Sequence, residues 1–410
     1  MALVYLFFGA IKVGEGRVRE KVPVASPFLL LISGGIAEVQ ARSRLRIAWS
    51  NCSGRCVLVA IAFALCTFIS SPAFSAVVLQ YHHVSDDMPE STSIAPRLFA
   101  QHLQLIETLK LSVWSLPRLV AALRSKETIP DNVVVITFDD AYDSIYKHAY
   151  PELRKRSWPF TVFVATDPIE KAIAGFMSWQ QLKKMRSHGA TIANHTQSHT
   201  HLVRQKKSEK NRDWIARVKQ EIEGAQQLIE TETGQRGRYF AYPYGETLPE
   251  IERLVLEMSF AGFGQHSGAL DSRYSLANLP RFPMNNRYGQ LDELKTKLQS
   301  LPMPILSTIP QARIISPNGM NRGIELLLEV SGKELNLLNC FLSGHGKLKT
   351  RVSPEGDHVR IRAEGVADLI PGRNRINCTL PAKDSQPVRY YWASHVWMTK
   401  TRDQQWYEEP

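Results

Sequence analysis

Val133-Val134-Val135-Ile136 is a run of four β-branched aliphatic residues that continues through Thr137-Phe138 into two adjacent carboxylates, Asp139 and Asp140. Such a run reads as a buried strand, because it has no polar face to offer water. A buried strand does not hold ionised groups unless they are paired or metal-bound. The Asp pair therefore belongs at the strand's open end, where α/β folds place their chemistry. Two neighbouring carboxylates can divide labour there, one ligating a metal and the other taking a proton. The plainer alternative is a helix N-cap at Asp140 beside a solvated Asp139.

Other predicted strands also end in reactive groups. Residues 77–83 read as a strand closing on His82-His83, and 190–193 as one that runs into Asn194-His195-Thr196-Gln197-Ser198-His199-Thr200-His201. Residues 159–165, 239–242 and 261–264 supply further strands, the second closed by Pro243-Tyr244-Gly245. Helical spacing covers 96–109, 116–123, 149–155, 179–188, 213–230 and 249–258, with Ser178 as a cap and Gly189 as a stop. Alternating strands and helices predict a parallel α/β fold, a barrel. His195 and His199 are four apart, which puts both on one face of a helical turn. With a carboxylate from another strand end they form a His-His-Asp set. Imidazole and carboxylate suit Zn²⁺, with Co²⁺ and Ni²⁺ as the other candidates, and three protein ligands leave room for water. His201 is offset by two and is expected at the rim. His102, His148, His188 and His266 are expected on helices or loops without partners.

Thr137-Phe138-Asp139-Asp140, Asn194-His195-Thr196-Gln197-Ser198-His199 and Tyr242-Pro243-Tyr244-Gly245 occur in that order. Over residues 77–305 the chain resembles the polysaccharide deacetylases, the NodB-homology group of carbohydrate esterase family 4. The resemblance implies a distorted (β/α)7 barrel that removes N- or O-acetyl groups from glycans with a divalent metal ion. It implies Asp139 as general base, Asp140, His195 and His199 as metal ligands, and the Tyr244 backbone N–H as an oxyanion donor. Tyr81-His82 resembles the Tyr-His that opens the circularly permuted members, such as the periplasmic poly-N-acetylglucosamine deacetylases. That makes His82 the implied catalytic acid. His83 competes, and since adjacent strand residues face opposite sides only one of the two points into the site. The motif favours His82.

Two positions depart from the family pattern. Ala241 stands where the family carries an Arg that orients the base. Arg281, in Leu279-Pro280-Arg281-Phe282-Pro283, is the replacement, matching an Arg of the permuted members; the alternative is a surface Arg. No Leu-x-His motif closes the C-terminal side, which agrees with the permuted arrangement and leaves the acid role to His82. Trp179 and Tyr244 are either a sugar platform or ordinary packing aromatics.

At 410 residues the chain is long enough for two or three domains. Its 50 Lys and Arg outnumber its 39 Asp and Glu, giving +11, of which the first 75 residues carry +5. The excess is spread out and no basic block is interleaved with aromatics, so a nucleic-acid groove is not expected. A mildly basic surface suits an anionic envelope or polymer. Residues 56–69 form an apolar run behind Arg55, broken by Ser70-Ser71-Pro72 and followed by the small residues of Ala73-Phe74-Ser75. This is a signal-peptide pattern, short for a membrane span, with an uncleaved anchor as the alternative. Residues 1–50 precede it and no Met lies between Met1 and Met88, so translation is expected to start near residues 45–57 at a non-Met codon. Cys52, Cys56 and Cys66 fall in the leader, without a lipobox. Export leaves Cys340 and Cys378, expected as one disulfide, with a buried thiol pair as the alternative.

Past Leu301-Pro302-Met303-Pro304 the pattern changes to short alternating runs at 325–330, 337–342, 358–363 and 390–395. Turns at Ser331-Gly332, Pro354-Glu355-Gly356 and Pro371-Gly372-Arg373-Asn374 separate them. This predicts an all-β sandwich. The expected organisation is a leader over 1–75, a deacetylase-like domain over 76–305 and a β-sandwich accessory domain over 306–410. The last is either a glycan- or wall-binding module or a packing domain. The expected activity is that of a polysaccharide N-deacetylase, a metal-dependent hydrolase acting on N-acetylated sugars of an extracellular or wall polysaccharide. The protein is expected to be exported, to the periplasm, the cell envelope or the medium. The alternatives are a non-catalytic carbohydrate-binding protein and an O-acetyl esterase.

Overall fold

A computed structural model of the chain describes residues 75–407, save 317–322, 331–334, 365, 367–368 and 383–387. Apart from Ser75, the expected leader over 1–75 lies outside the described residues. Parallel pairing joins β1 (Ala76–Tyr81), β2 (Val133–Phe138), β3 (Phe160–Val164), β4 (Ala190–Asn194), β5 (Tyr239–Ala241), β6 (Ala261–Phe263) and β7 (Phe282–Pro283). Their order is β7-β1-β2-β3-β4-β5-β6, with a short strand, Ser112–Val113, beside the start of β2. A parallel bridge from Phe263 to Leu279, just before β7, brings the two edges of the curled sheet toward each other. The result is a (β/α) barrel-like arc with helices outside.

Every residue of β1, β2, β3 and β4 is buried. Period two divides these strands between two clusters. Val77, Leu79, Tyr81, Val134, Ile136 and Phe138 pack with Phe99, Leu103 and Ile106 of the helix Pro96–Thr108. Val78, Val133, Val135, Phe163, Ala193 and Ala241 face the other way, into the arc. Gln80, His82, Thr137 and Asp139 share that second parity, so alternation alone aims the end of each strand inward.

One helix and two histidines depart from expectation. The segment expected as a helix over 149–155 opens with a π-helical turn, Ile145–Ala149, and becomes α-helical at Tyr150–Lys155. Pro151 has no N–H to donate and so sits in the first turn of the α segment. His102 and His188, expected without partners, both have them. The buried His102 donates from Nε2 to the Gly289 carbonyl at 2.5 Å and accepts at Nδ1 from the Tyr81 hydroxyl at 3.0 Å. His188 pairs with the Tyr150 hydroxyl and the Lys184 carbonyl.

The C-terminal part is built of strands β8 (Ile305–Ile309), β9 (Ile324–Leu328), β10 (Asn339–Leu342), β11 (Lys349–Glu355), β12 (His358–Glu364), β13 (Gly372–Ala382) and β14 (Arg389–Thr399). One sheet runs β8-β9-β12-β11, the other joins β10, β13 and β14. The expected turn at 371–374 is cut short, because β13 already begins at Gly372. Alternate residues of β9, β12 and β13 are buried, and Leu326, Leu328, Val359 and Ile361 meet Ile376, Leu380 and Trp397 in one core. The two sheets thus form a sandwich. A Cys340–Cys378 disulfide ties β10 to β13.

This sandwich is fastened to the barrel along β14. Arg389 bonds Asp131, with Nη2 2.8 Å from Oδ1, and the Trp392 ring meets Phe282 edge-on at 5.2 Å. Leu301–Pro302 pairs with β14, so the chain enters this sheet before residue 305. At the far end Met398 and Trp406 pack with Trp214 and Ile251 of the barrel helices. No helix among the described residues is long and apolar enough to cross a membrane.

Candidate metal and catalytic site

Asp139 and Asp140 follow β2 directly, and the backbone turns left-handed at Asp140 (φ 70°) and Ala141 (φ 66°). That reversal sends the two carboxylates to different neighbours. Thr196 (φ 70°), His199 (φ 53°) and Tyr244 (φ 59°) also hold this conformation, so five of the twelve non-glycine residues with positive φ among the described residues lie at this site. Such strain gathers where surrounding structure holds a functional geometry.

Asp140 meets His195 and His199. Its Oδ1 lies 3.3 Å from His195 Nε2 and 3.2 Å from His199 Nε2. The ligating atoms of the three residues all lie within 4.8 Å of one another. His195 donates from Nδ1 to the Ala241 carbonyl at 2.8 Å, which leaves the lone pair on Nε2. Asp140 Oδ1 and His195 Nε2 are buried and make no hydrogen bond. Two buried acceptors pointed at each other are unfavourable unless a cation lies between them. The donor set therefore fits a divalent ion held by one carboxylate and two imidazoles. The charges agree. Burial disfavours ionised Asp140, yet His195 and His199 hold its carboxyl well below the usual range. Burial likewise opposes charge on His195, and Asp140 and Asp139 together raise its pKa.

The two histidines do not converge through a helical turn. No helix spans 195–199; β4 ends at Asn194 and a side-chain-supported turn follows. Asn194 Oδ1 accepts the Thr196 N–H at 2.9 Å, and Thr196 Oγ1 accepts the His199 N–H at 3.0 Å. Asn and Thr side chains compete with helical bonding in this way, and the left-handed residues complete the reversal.

Asp139 is fully buried and held by a buried cation. Arg281 donates from Nη1 to Oδ1 at 2.7 Å and from Nη2 to Oδ2 at 2.8 Å, while its Nε donates to the Gly264 carbonyl at 2.8 Å. Gln80 Nε2 adds a bond to Oδ2 at 2.6 Å. Burial alone would raise the Asp139 carboxyl, and the Arg281 charge overrides it and keeps the group below its ordinary pKa. Ala241, the position where an Arg is missing, is buried and gives its carbonyl to His195.

Residues 126–262 match the family model described as polysaccharide deacetylase. The chain carries a polysaccharide deacetylase domain. The match spans Asp139, Asp140, His195, His199 and Tyr244, while His82 and Arg281 lie outside it. YxkH of Bacillus subtilis (strain 168) is 26% identical over 188 residues, covering 44% of this chain and 62% of its own. The poly-beta-1,6-N-acetyl-D-glucosamine N-deacetylase of Escherichia coli (strain K12) is 24% identical over 248 residues, 50% of this chain and 37% of that protein. The chain thus spans less than two thirds of either relative's length. The solved structure of the Streptococcus pyogenes deacetylase PplD in complex with acetate aligns with a TM-score of 0.49 and 23% identity, over 55% of this chain and 98% of that one.

Outside the matched segment, the His82 imidazole reaches toward Asp139, with Nε2 4.0 Å from Oδ2 and 18% of the side chain exposed. Burial pushes its pKa down, against the pull of Asp140 and Asp139. His83 turns away and stacks on Tyr142, ring centroids 3.5 Å apart. Tyr142, absent from the sequence reading, is the ring on which His83 stacks, and burial together with the nearby Asp140 charge raises the pKa of its hydroxyl.

Tyr244 lies beside the Asp140–His195–His199 cluster, its ring 4.7 Å from that of His199. The following Gly245 has φ 67°, and a Cβ there would lie 2.6 Å from that of Gln265, so only glycine fits. One face of the Tyr244 ring is covered by His201, stacked at 3.9 Å, and that face is closed to a sugar. His201 is no bystander at the rim: its Nδ1 lies 2.8 Å from the buried Glu246 carboxylate. Trp179 is half-buried and bonds Glu170 at 2.6 Å. Gln80, Tyr142 and Glu246 are the site residues that sequence reasoning missed. Gln80 carried one usable signal, as a lone amide in an otherwise apolar strand.

Proposed function

We propose that this chain is an exported polysaccharide N-deacetylase that depends on a divalent metal ion and hydrolyses the acetamido groups of an N-acetylglucosamine-containing polymer. The observation that carries the reading is the Arg281-clamped Asp139 carboxylate, set between His82 and the Asp140–His195–His199 cluster. The name of the Escherichia coli relative supports the substrate class. The signal-peptide pattern supports export, as does the disulfide, which forms in oxidising compartments. We assign residues 76–305 to the catalytic domain and 306–410 to the accessory sandwich.

Asp140, His195 and His199 would hold the ion, Zn²⁺ by preference with Co²⁺ or Ni²⁺ as substitutes; when bound it supplies Lewis acidity toward water and the acetyl carbonyl. Asp139, kept ionised by Arg281, accepts the proton of the attacking water. Arg281 and Gln80 fix the direction of that carboxylate. The Tyr244 N–H donates to the oxygen that gains negative charge. His82 returns a proton to the departing sugar nitrogen, which leaves as an amine.

Acetate release tests the reading. The metal-loaded protein is given poly-β-1,6-N-acetylglucosamine, chitin oligomers, peptidoglycan and acetyl-xylan, with Zn²⁺, Co²⁺ or Ni²⁺ or with chelator. Metal-dependent release from an N-acetylated polymer is expected. Release from acetyl-xylan alone would assign an O-acetyl esterase, and release from none would leave a carbohydrate-binding protein.

A further inference from the structure

The loop after β5 is held from behind by the C-terminal part of the chain. Arg373, on β13, donates from Nη1 to the Tyr244 carbonyl. Tyr407, in the tail past β14, is buried and donates its hydroxyl to Glu246 Oε1. The other oxygen of that buried carboxylate meets His201, and the His201 ring lies flat on Tyr244. Backbone and side chain of the Tyr244 loop are thus each gripped, one through Arg373 and the other through Tyr407, Glu246 and His201. The first grip comes wholly from the C-terminal part, and the second is anchored there by Tyr407, although its last member, His201, follows β4 of the barrel. The loop needs such support, because Tyr244 and Gly245 both hold positive φ. Glu246 would be an isolated buried carboxylate without its two partners.

We propose that Arg373 and Tyr407 are positioning residues of the catalytic site, so that the sandwich and tail complete the deacetylase rather than serve only as a detachable binding module. This rests on the reading above, in which the Tyr244 N–H faces the reacting carbonyl. Setting a donor in place before reaction is where such a group gains its effect, and a displacement of about 1 Å can cost about 10²-fold in rate.

The test uses the full, metal-loaded chain with Arg373→Ala, Arg373→Lys, Tyr407→Phe and Arg389→Ala. Arg389 is the control, because it fastens the same two parts at Asp131, away from the loop. Hydrogen exchange over 242–247, metal content, and kcat and KM for acetate release are measured. Arg373→Ala and Tyr407→Phe should raise exchange in the loop and lower kcat by about 10²-fold, with KM and metal content kept. Arg373→Lys should recover part of both losses, and Arg389→Ala should change neither. Unaltered loop exchange in Arg373→Ala and Tyr407→Phe overturns the proposal, and so does an equal effect from Arg389→Ala, which would mean general loosening. If wild type releases no acetate while loop exchange responds as expected, the deacetylase reading fails and the positioning role stands.

Discussion

Arg281 closes its two terminal nitrogens on the two oxygens of Asp139, at 2.7 and 2.8 Å, and neither side chain is exposed to solvent. The two residues lie 142 positions apart, and the clamp fixes both the charge and the direction of the Asp139 carboxylate. Such a pair has a conditional value: intact it satisfies both groups, and with one partner removed it leaves a buried charge alone.

Arg281→Met should therefore destabilise the protein by about 3–5 kcal/mol and abolish turnover. Asp139→Asn keeps an acceptor for Arg281 and should cost less stability, while turnover is again lost. In Asp139→Asn/Arg281→Met the unpaired charge is gone, so part of the stability should return without any activity. Urea denaturation of the four proteins reads the cycle. Additive losses in the double mutant would mean that the pair does not act as a unit.

Metal binding should separate from catalysis. His195→Ala or His199→Ala should strip the ion, whereas Asp139→Asn should retain it and still not turn over, since a base is needed for chemistry and not for coordination. Elemental analysis after dialysis decides. Stoichiometric metal in His195→Ala would remove His195 from the ligand set.

Much of this site was legible because β strands alternate. The parity of Val133, Val135 and Thr137 already aims Asp139 inward, and the same parity separates His82 from His83. Short-range spacing misled where side chains replaced helical bonding: Asn194 and Thr196 bring His195 and His199 together through a turn that the four-residue interval did not reveal. The start of β13 was hidden by a Pro-Gly pair that reads locally as a turn, yet Gly372 already pairs with Thr399. The contact of Glu246 with Tyr407 lay beyond reach, because 161 residues separate them and neither sits in a periodic pattern.

Stability should fall in mild acid. His102 is buried with both ring nitrogens engaged, and burial lowers its pKa from 6.5 to about 4. Between those values the unfolded chain binds a proton that the folded chain refuses. Stability from this group is thus complete above pH 6.5, declines as pH falls toward 4, and is flat below. The difference amounts to about 3 kcal/mol for His102. His266 and His395, both pushed to about 3, extend the decline. His102→Gln, which can still donate to Gly289 and accept from Tyr81, should flatten the slope between pH 6.5 and 4. Urea midpoints of chelated wild type and variant across that range measure it, and parallel slopes would refute the assignment.

The acid should reveal itself through the leaving group. An amine departs poorly unless protonated, whereas an activated aryl acetate leaves without help. If His82 supplies the proton, His82→Ala should lose about 10²–10⁴-fold on an N-acetyl sugar and far less on the aryl ester. Asp139→Asn should damage both substrates, since each needs an activated water. His83 faces away and touches the site through its stack on Tyr142, whose hydroxyl feels the Asp140 charge. Its truncation should therefore produce a small loss of equal size on the two substrates. Equal damage to both in His82→Ala would instead give His82 an orienting role. Selective loss on the N-acetyl sugar in His83→Ala would move the acid to His83, and the Tyr142 stack would then have to open during turnover for the imidazole to reach the departing nitrogen.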